Sequence, residues 1–384
     1  MTRITKVLVA GGGIGGLCTA IGLLRKGVAV DLVEIKPQNT PLGVGIIQPA
    51  NALRALDDLG VMDKCLAVGF QVDEWRYFEA DGTHLHTFKS MRLAGPEIPA
   101  YNAVARPVLA AILLDTAQAL GVNIRFGVQI DDFVETDKGI DVTLSNGEQG
   151  RYDFIVGSEG IRSPLRRRLF GDGYEPEYLG HSVWRVNAQR PPDLTYQPMF
   201  WGVGSKAGLI PLSDSTMYLL LVTDEPGNPF YEESLRYDLL KERLQQFGGY
   251  IGEVRDNMRP DDNIVYTPVE EVRLPSPWFK GRVLLIGDAA HAGGPHLSQG
   301  AAMAIEDAVV LSELVEKRLS VPDMFVQFME RRFERCRFIQ DTTRAVGEAG
   351  RSSDPEVCAT RNANFKNMQH NVPRPHEGVL AQRP

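Results

Sequence analysis

A strand, a glycine-rich turn and a helix in immediate succession constrain this chain more than any other feature. Lys6 to Ala10 is a short apolar run, Gly11-x-Gly13-x-x-Gly16 follows it, and helical spacing runs from Ile14 to Lys26. Val28 to Ile35 then reads as a second strand. In such a βαβ start the first glycine permits a tight turn and the second lets a pyrophosphate approach the backbone. The third lets the helix pack on the sheet, with its first amides facing the phosphates. Gly11, Gly13, Ile14, Gly15 and Gly16 are therefore candidate cofactor-binding residues. Glu34 closes the second strand, where an acidic side chain accepts hydrogen bonds from ribose. That favours an adenosine with a free 2′-OH, as in FAD or NAD, over NADP.

Two later apolar runs, Phe154 to Gly157 and Val283 to Gly287, read as further strands of the same sheet. Each ends in glycine at the edge where open α/β sheets place ligands. Glu74 to Phe88 and Gly180 to Asp224 differ in texture: apolar and polar residues alternate with aromatics, as in antiparallel strands. The expected fold class is α/β, a Rossmann-type cofactor domain interleaved with an antiparallel β-sheet substrate domain and followed by C-terminal helices. The expected boundaries are 1–72, 101–178 and 272–350 for the cofactor domain, and 73–100 and 179–271 for the β-rich domain. Beyond Arg351 the Pro and Asn content rises and apolar spacing disappears, so 351–384 is expected to be a loosely packed tail.

The net charge of −8 and the lack of a Lys/Arg stripe give no electrostatic support to nucleic-acid or membrane-surface binding. Arg162, Arg166, Arg167 and Arg168 form the one basic run and read as a solvated helix face. Cys18, Cys65, Cys336 and Cys358 stand apart, with no CxxC pair and no metal-ligand cluster. Scattered thiols suit a reducing compartment, so the expected location is cytoplasmic. The glycines from Gly11 to Gly16 interrupt the first apolar run, which therefore suits neither a signal peptide nor a membrane span. No interface segment stands out, and a monomer or a homodimer is expected.

The later strands carry a more specific signal. Asp153-Phe-Ile-Val-Gly157-Ser158-Glu159-Gly160-Ile161-Arg162-Ser163 resembles the second fingerprint of the class A FAD-dependent monooxygenases, the para-hydroxybenzoate hydroxylase-like family. That family normally has Asp-Gly where this chain has Glu159-Gly160. Val283-Leu-Leu-Ile-Gly287-Asp288-Ala289-Ala290-His291, with Pro295, Gln299-Gly300-Ala301 and Glu306-Asp307-Ala308 beyond it, resembles the third fingerprint. The resemblance covers about residues 5–350. It implies FAD as cofactor and NADH or NADPH as transient reductant, bound without a Rossmann domain of its own.

On that resemblance Asp288 bonds the ribitol chain, while Pro295, Gly300 and Ala301 bring backbone amides to the flavin pyrimidine edge. Arg106, in Ala105-Arg106-Pro107, falls near the FAD phosphates, Glu34 on the ribose and Ile130 beside the adenine. Asn51 and Arg54 match a recurring patch that also suits a purely structural role. His291 belongs to the signature and is read as structural. The implied reaction consumes O2 and hydroxylates a small aromatic or hydroxy-heteroaromatic substrate through a flavin C4a-hydroperoxide, in a dry site.

An activated ring needs a site group that polarises or deprotonates it. His296, inside the flavin loop, and Tyr218, on an alternating strand, are the catalytic candidates. Arg185 is a candidate for a substrate carboxylate, with Trp201, Met199 and Gln48 as candidate pocket residues. Other readings stay open: a flavoenzyme on this scaffold performing epoxidation, halogenation or ring reduction, a non-catalytic flavin-binding sensor, or a simple Rossmann dehydrogenase.

Overall fold

The computed structural model describes residues 4–39, 43–369 and 374–384. Residues 1–3 and 40–42, inside the expected cofactor domain, and 370–373, inside the expected tail, lie outside the described residues. Lys6–Ala10 sits in the middle of a six-stranded sheet, between Ala29–Glu34 and Phe154–Gly157. Val283–Leu285 pairs in parallel on the far side of Phe154–Gly157, and Asn123–Phe126 extends the other flank. The central strands are buried on both faces, which explains their continuous apolar runs. Helices Ile14–Arg25 and Gly300–Glu316 pack against each other and enclose the largest core cluster.

The second sheet has seven strands in the order Val265–Glu271, Glu177–Gln189, Thr216–Asp224, Ser205–Pro211, Gln197–Trp201, Glu74–Glu79, His84–Lys89. Its pairings are antiparallel except that of Gln197–Trp201 with Glu74–Glu79. The chain thus enters this sheet twice, and the two-residue period of its strands sends alternate side chains to opposite faces. One face buries Trp184, Phe200, Leu209, Leu219 and Leu221 under helices Glu233–Arg243 and Gly249–Asn257. The ladder registers put Arg185, Met199, Lys206, Ile210, Tyr218 and Leu220 on the other face, toward the cofactor domain.

Two readings are corrected here. The tail is not loose: its described residues form helices Pro355–Lys366 and Pro375–Ala381. Phe365 packs on Tyr77 and Trp201, and Leu380 is buried. Arg54 donates to the carbonyls of Leu380, Ala381 and Gln382, so backbone hydrogen bonds do the anchoring that apolar spacing does not reveal. Arg166 is likewise not solvated; it is buried and donates to the carbonyls of Ile161 and Ala289.

Among the described residues no helix is long and apolar enough to cross a membrane.

Candidate active site

A cleft of about 660 Å³ runs along the C-terminal edge of the parallel sheet and ends beneath the second sheet. At one end Glu34 accepts hydrogen bonds from the Gly12 amide at 2.7 Å and the Lys36 amide at 2.9 Å. Val128, Gln129 and Ile130 form the wall beside it. Helix Ile14–Arg25 opens onto the cleft from Gly13 with no side-chain cap, so its first amides are free for a ligand.

The glycines explain how the backbone comes so close. Gly11 has φ +105°, and a Cβ on Gly16 would lie 1.9 Å from the Gly11 carbonyl oxygen. A Cβ on Gly13 would meet nothing within 4 Å, because that position faces open cleft. Gly16 itself does not line the cleft; it serves the close packing of turn and helix.

The middle of the cleft is formed by the second and third fingerprints. Glu159 is largely buried and accepts from Ser163 Oγ at 2.6 Å and the Leu165 amide at 3.0 Å. Burial pushes its carboxyl up, against those two hydrogen bonds. The longer arm thus caps the helix Pro164–Phe170 from within the cleft wall. Asp288 and Arg106 are exposed and line the cleft from opposite sides. Pro295, Gly300 and Ala301 line it as well, and helix Gly300–Glu316 begins there with no side-chain cap.

Two uncapped helix N-termini facing one channel, an acid at its sugar-binding end and an aspartate midway fit a long dinucleotide with two electron-rich centres. The residues present therefore suit FAD.

A buried network holds both ends of the loop between Gly287 and Gly300. Asp307 accepts from the Gly287 amide at 2.9 Å, pairs with His291 Nε2 at 2.7 Å and receives Arg332 Nε at 2.7 Å. Glu306 receives Arg332, Arg335 and Asn51, and Asn51 also bonds Gln299 at 3.1 Å. Burial opposes charge on His291, but Cys336 and Asp307 beside it hold its pKa well above 6.5. Burial also opposes ionisation of Asp307, yet His291 and Arg332 bring it down to about 2. His291, Asp307 and Cys336 lie close enough to suggest metal ligands. The Arg332 guanidinium, bonded to Asp307 and 3.4 Å from Cys336 Sγ, already supplies a cation there.

The inner end of the cleft differs in chemistry. Trp75, Met199, Ile210, Leu220 and Ile47 give it apolar walls. Tyr218 lies against Gly45, where a Cβ would come within 2.5 Å of its ring, and burial pushes its phenol up, so it stays protonated. Arg185 reaches the same space from the neighbouring strand. Among the described residues nothing forms an ion pair or hydrogen bond with its guanidinium, and burial lowers its pKa.

His296 is half-buried, with its ring between Gly294 and Gly347, and its Nε2 lies 2.9 Å from Nε2 of His181. Burial, with Lys206 and His181 nearby, holds His296 well below 6.5. Lys206 also lines the cleft. Burial, aided by Arg361, pushes its ammonium down to about 7.

Of the sequence-derived candidates, Gly11, Gly13, Ile14, Gly15, Glu34, Arg106, Ile130, Arg185, Met199, Tyr218, Asp288, Pro295, His296, Gly300 and Ala301 meet in this one cleft. Gln48 and Trp201 do not line it. Gln48 is buried, and its side-chain carbonyl accepts from Asn102 Nδ2 at 2.7 Å. Trp201 lies one pleat beyond Met199, covered by Tyr77 and Phe365. Sequence reading passed over Lys206, Trp75 and His181. Strand parity could have found Lys206, which is in register with Trp201, but nothing local marks His181 as the partner of a loop histidine.

Known proteins point to the same cofactor. The family described as "FAD binding domain" matches residues 4–320. The 2-heptyl-3-hydroxy-4(1H)-quinolone synthase of Pseudomonas aeruginosa is 32% identical, over 93% of this chain and 92% of its own length. The aurachin C monooxygenase/isomerase of Stigmatella aurantiaca is 28% identical, over 94% of each chain. The crystal structure of Klebsiella pneumoniae HpxO with FAD and uric acid superposes with a TM-score of 0.86 at 21% identity. It covers 95% of this chain and 93% of its own, which establishes a shared fold.

Proposed function

The chain belongs to the FAD-dependent monooxygenases of the aromatic hydroxylase type, and from that premise we propose that it hydroxylates a small anionic hydroxy-aromatic or hydroxy-heteroaromatic ring held between Arg185 and His296. The observation that carries the proposal is Arg185, a cation in an apolar cleft wall with no partner of its own. A half-buried guanidinium with no partner favours a ligand that supplies the counter-charge. Its planar fork suits a carboxylate or an enolate-type oxygen.

FAD would lie with its ribose on Glu34, its pyrophosphate on the free amides that open helix Ile14–Arg25 and near Arg106, and its adenine beside Ile130. Asp288 would take the ribitol, and the amides after Pro295, at Gly300 and Ala301, the edge of the ring. Bound FAD supplies electron transfer from NADH or NADPH and the activation of O2 from which one oxygen atom reaches the substrate. The protein's own share is placement and electrostatics. Met199, Ile210, Leu220, Trp75 and Ile47 exclude water from the inner end. Arg185 orients the anion, and Tyr218, kept neutral, donates a hydrogen bond to a ring oxygen. His296, kept neutral, accepts the proton of a ring hydroxyl or ring N–H.

A planar nitrogen heterocycle appears in the name of the P. aeruginosa relative and in the uric acid of the Klebsiella complex, which supports a substrate of that size. The four cysteines are free and buried, which supports a reducing, cytoplasmic location. The test is a panel of hydroxy-aromatic acids, hydroxypyridines and hydroxyquinolones offered to the purified flavoprotein with NADH and NADPH. A substrate should accelerate reductant oxidation and emerge with one added oxygen. Oxidation that no anionic ring accelerates, or a product without added oxygen, overturns the reading.

A further inference from the structure

The cleft contains a histidine whose tautomer is set from behind. His181 Nδ1 lies 3.0 Å from the Leu179 carbonyl, which can only accept, so Nδ1 carries the proton. In a neutral ring its Nε2 is then a lone pair. Nε2 of His296 lies 2.9 Å from that lone pair, so His296 must be the donor at this contact. One proton remains on neutral His296, and it sits on Nε2, which leaves Nδ1 as the bare nitrogen. No described residue bonds Nδ1, and it is not among the sealed, unpartnered polar atoms. The ring lines the cleft, and its Nδ1 is left unsealed.

We infer that His181 is a positioning residue: it accepts the Nε2 proton of His296 and thereby fixes His296 as a base whose lone pair at Nδ1 faces the substrate. The role of His296 as base rests on the function proposed above; the tautomer does not.

The fold makes room for this pair. A Cβ on Gly347 would lie 2.5 Å from His296 Nε2 and 3.5 Å from His181 Nε2. The helix Val321–Arg351 therefore carries a glycine, poor for a helix interior, where the two rings meet it. The rings themselves stack, with centroids 5.0 Å apart and planes 30° from parallel. The charged and titratable groups facing the pair come from three other elements. Lys206 acts on both rings from strand Ser205–Pro211 of the same sheet. Arg351 from the long helix and Asp224 from Thr216–Asp224 act on His181 and are bonded to each other at 2.7 Å. Arg351 and Lys206 oppose a second proton on His181, while Asp224 and the Leu179 carbonyl favour one; burial, the largest influence, keeps it off.

The substrate O–H or N–H bond breaks, an Nδ1–H bond forms on His296, the ring is left as an anion and His296 becomes an imidazolium. The imidazolium still donates from Nε2 to the lone pair of His181, so the new charge forms inside an existing hydrogen bond. Without that acceptor, neutral His296 is free to carry its proton on Nδ1, and the base faces away from the substrate.

The direct test is nitrogen-15 NMR of the histidine-labelled, FAD-loaded full chain at neutral pH, which separates protonated from bare ring nitrogens. The inference expects a neutral His181 protonated on Nδ1 and a neutral His296 protonated on Nε2. A His296 protonated on Nδ1, or on both nitrogens, overturns it. The second test compares His181→Leu, which has no acceptor, with His181→Gln, whose amide oxygen can still accept. His181→Leu should lower product formed per reductant consumed by about tenfold or more and move the acid limb of the kcat profile. His181→Gln should recover most of both. Equal behaviour of the two variants overturns the positioning role, and if His181→Leu does not fold, the NMR result decides alone. Expected tautomers together with normal coupling in His296→Ala would leave the histidine geometry standing and remove the proposed base from the function.

Discussion

Two histidines belong to the same chain segment and do opposite things. His291 lies between Asp307 and the Arg332 network with its polar partners supplied, and burial fails to keep it neutral. His296, five positions on, is offered another histidine and a nearby lysine, and burial keeps it neutral. The first is an anchor: its carboxylate partner also holds the Gly287 amide, where the flavin loop begins. The second has a nitrogen left over, on a ring that lines the cleft. Burial alone does not separate structure from chemistry; the number of unspent hydrogen-bonding atoms does. Arg332 and Arg185 repeat the lesson, one guanidinium with its carboxylates supplied by the fold, the other without any.

The largest effect is expected where the network is broken. Asp307→Ala leaves the Arg332 guanidinium without one of its carboxylates and should cost about 3–5 kcal/mol of stability, read by denaturant unfolding. FAD content should fall with it, because the loop loses its hold at Gly287. A variant that unfolds at the wild-type midpoint would break the contrast between the two histidines.

His296→Ala is expected to spare the fold and lower hydroxylation by about 100- to 10,000-fold, the usual worth of general-base catalysis. The measurement is product formed per NAD(P)H consumed, and FAD should remain bound. Arg185→Gln sharpens the arginine half of the comparison. Removing an unpaired, half-buried charge should leave stability unchanged or raised, while kcat/KM falls about 10- to 150-fold with loss of a charged hydrogen bond worth about 1.5–3 kcal/mol. A drop in stability as large as that of Asp307→Ala would mean that Arg185 has a structural partner.

The smallest effect is in the pH dependence of folding. His181 and His296 are held below their ordinary value of 6.5, chiefly by burial. The unfolded chain then binds protons that the folded chain refuses. The stability this pair contributes is present above about 6.5 and lost as pH falls toward the folded values, at no more than about 1.4 kcal/mol per pH unit per proton. His291, held above 6.5, runs the other way: its contribution is present below 6.5 and lost as pH rises through its raised value. Unfolding midpoints of His296→Gln across the acid range should show a shallower decline than wild type.

The cofactor half of the cleft was legible because its geometry is local. Gly11, Gly13 and Gly16 carry their meaning in a turn a few residues long, and Glu34 and Asp288 each follow a recognisable strand. The substrate half depends on which strands become neighbours. Arg185 and Met199 could be proposed singly, but only the registers of the second sheet put them on one face with Lys206 and Tyr218. The bond from Asn102 removes Gln48, and the cover of Phe365 removes Trp201. The tail was misread because Arg54 and Arg335 hold it through backbone carbonyls, which leave no trace in residue type. His181 and His296 meet across 115 positions of sequence, and no periodicity links them.

The central claim is that an anionic ring is held against the flavin by Arg185 and receives one atom of O2. Turnover under 18O2 tests it most directly, with a hydroxy-aromatic carboxylate and its neutral amide compared in wild type and in Arg185→Gln. The account predicts that the carboxylate leaves with a single 18O in wild type, that the amide is oxygenated poorly, and that Arg185→Gln erases the difference between them. Equal labelling of acid and amide by the wild-type protein, or a preference for the acid that survives Arg185→Gln, would contradict it.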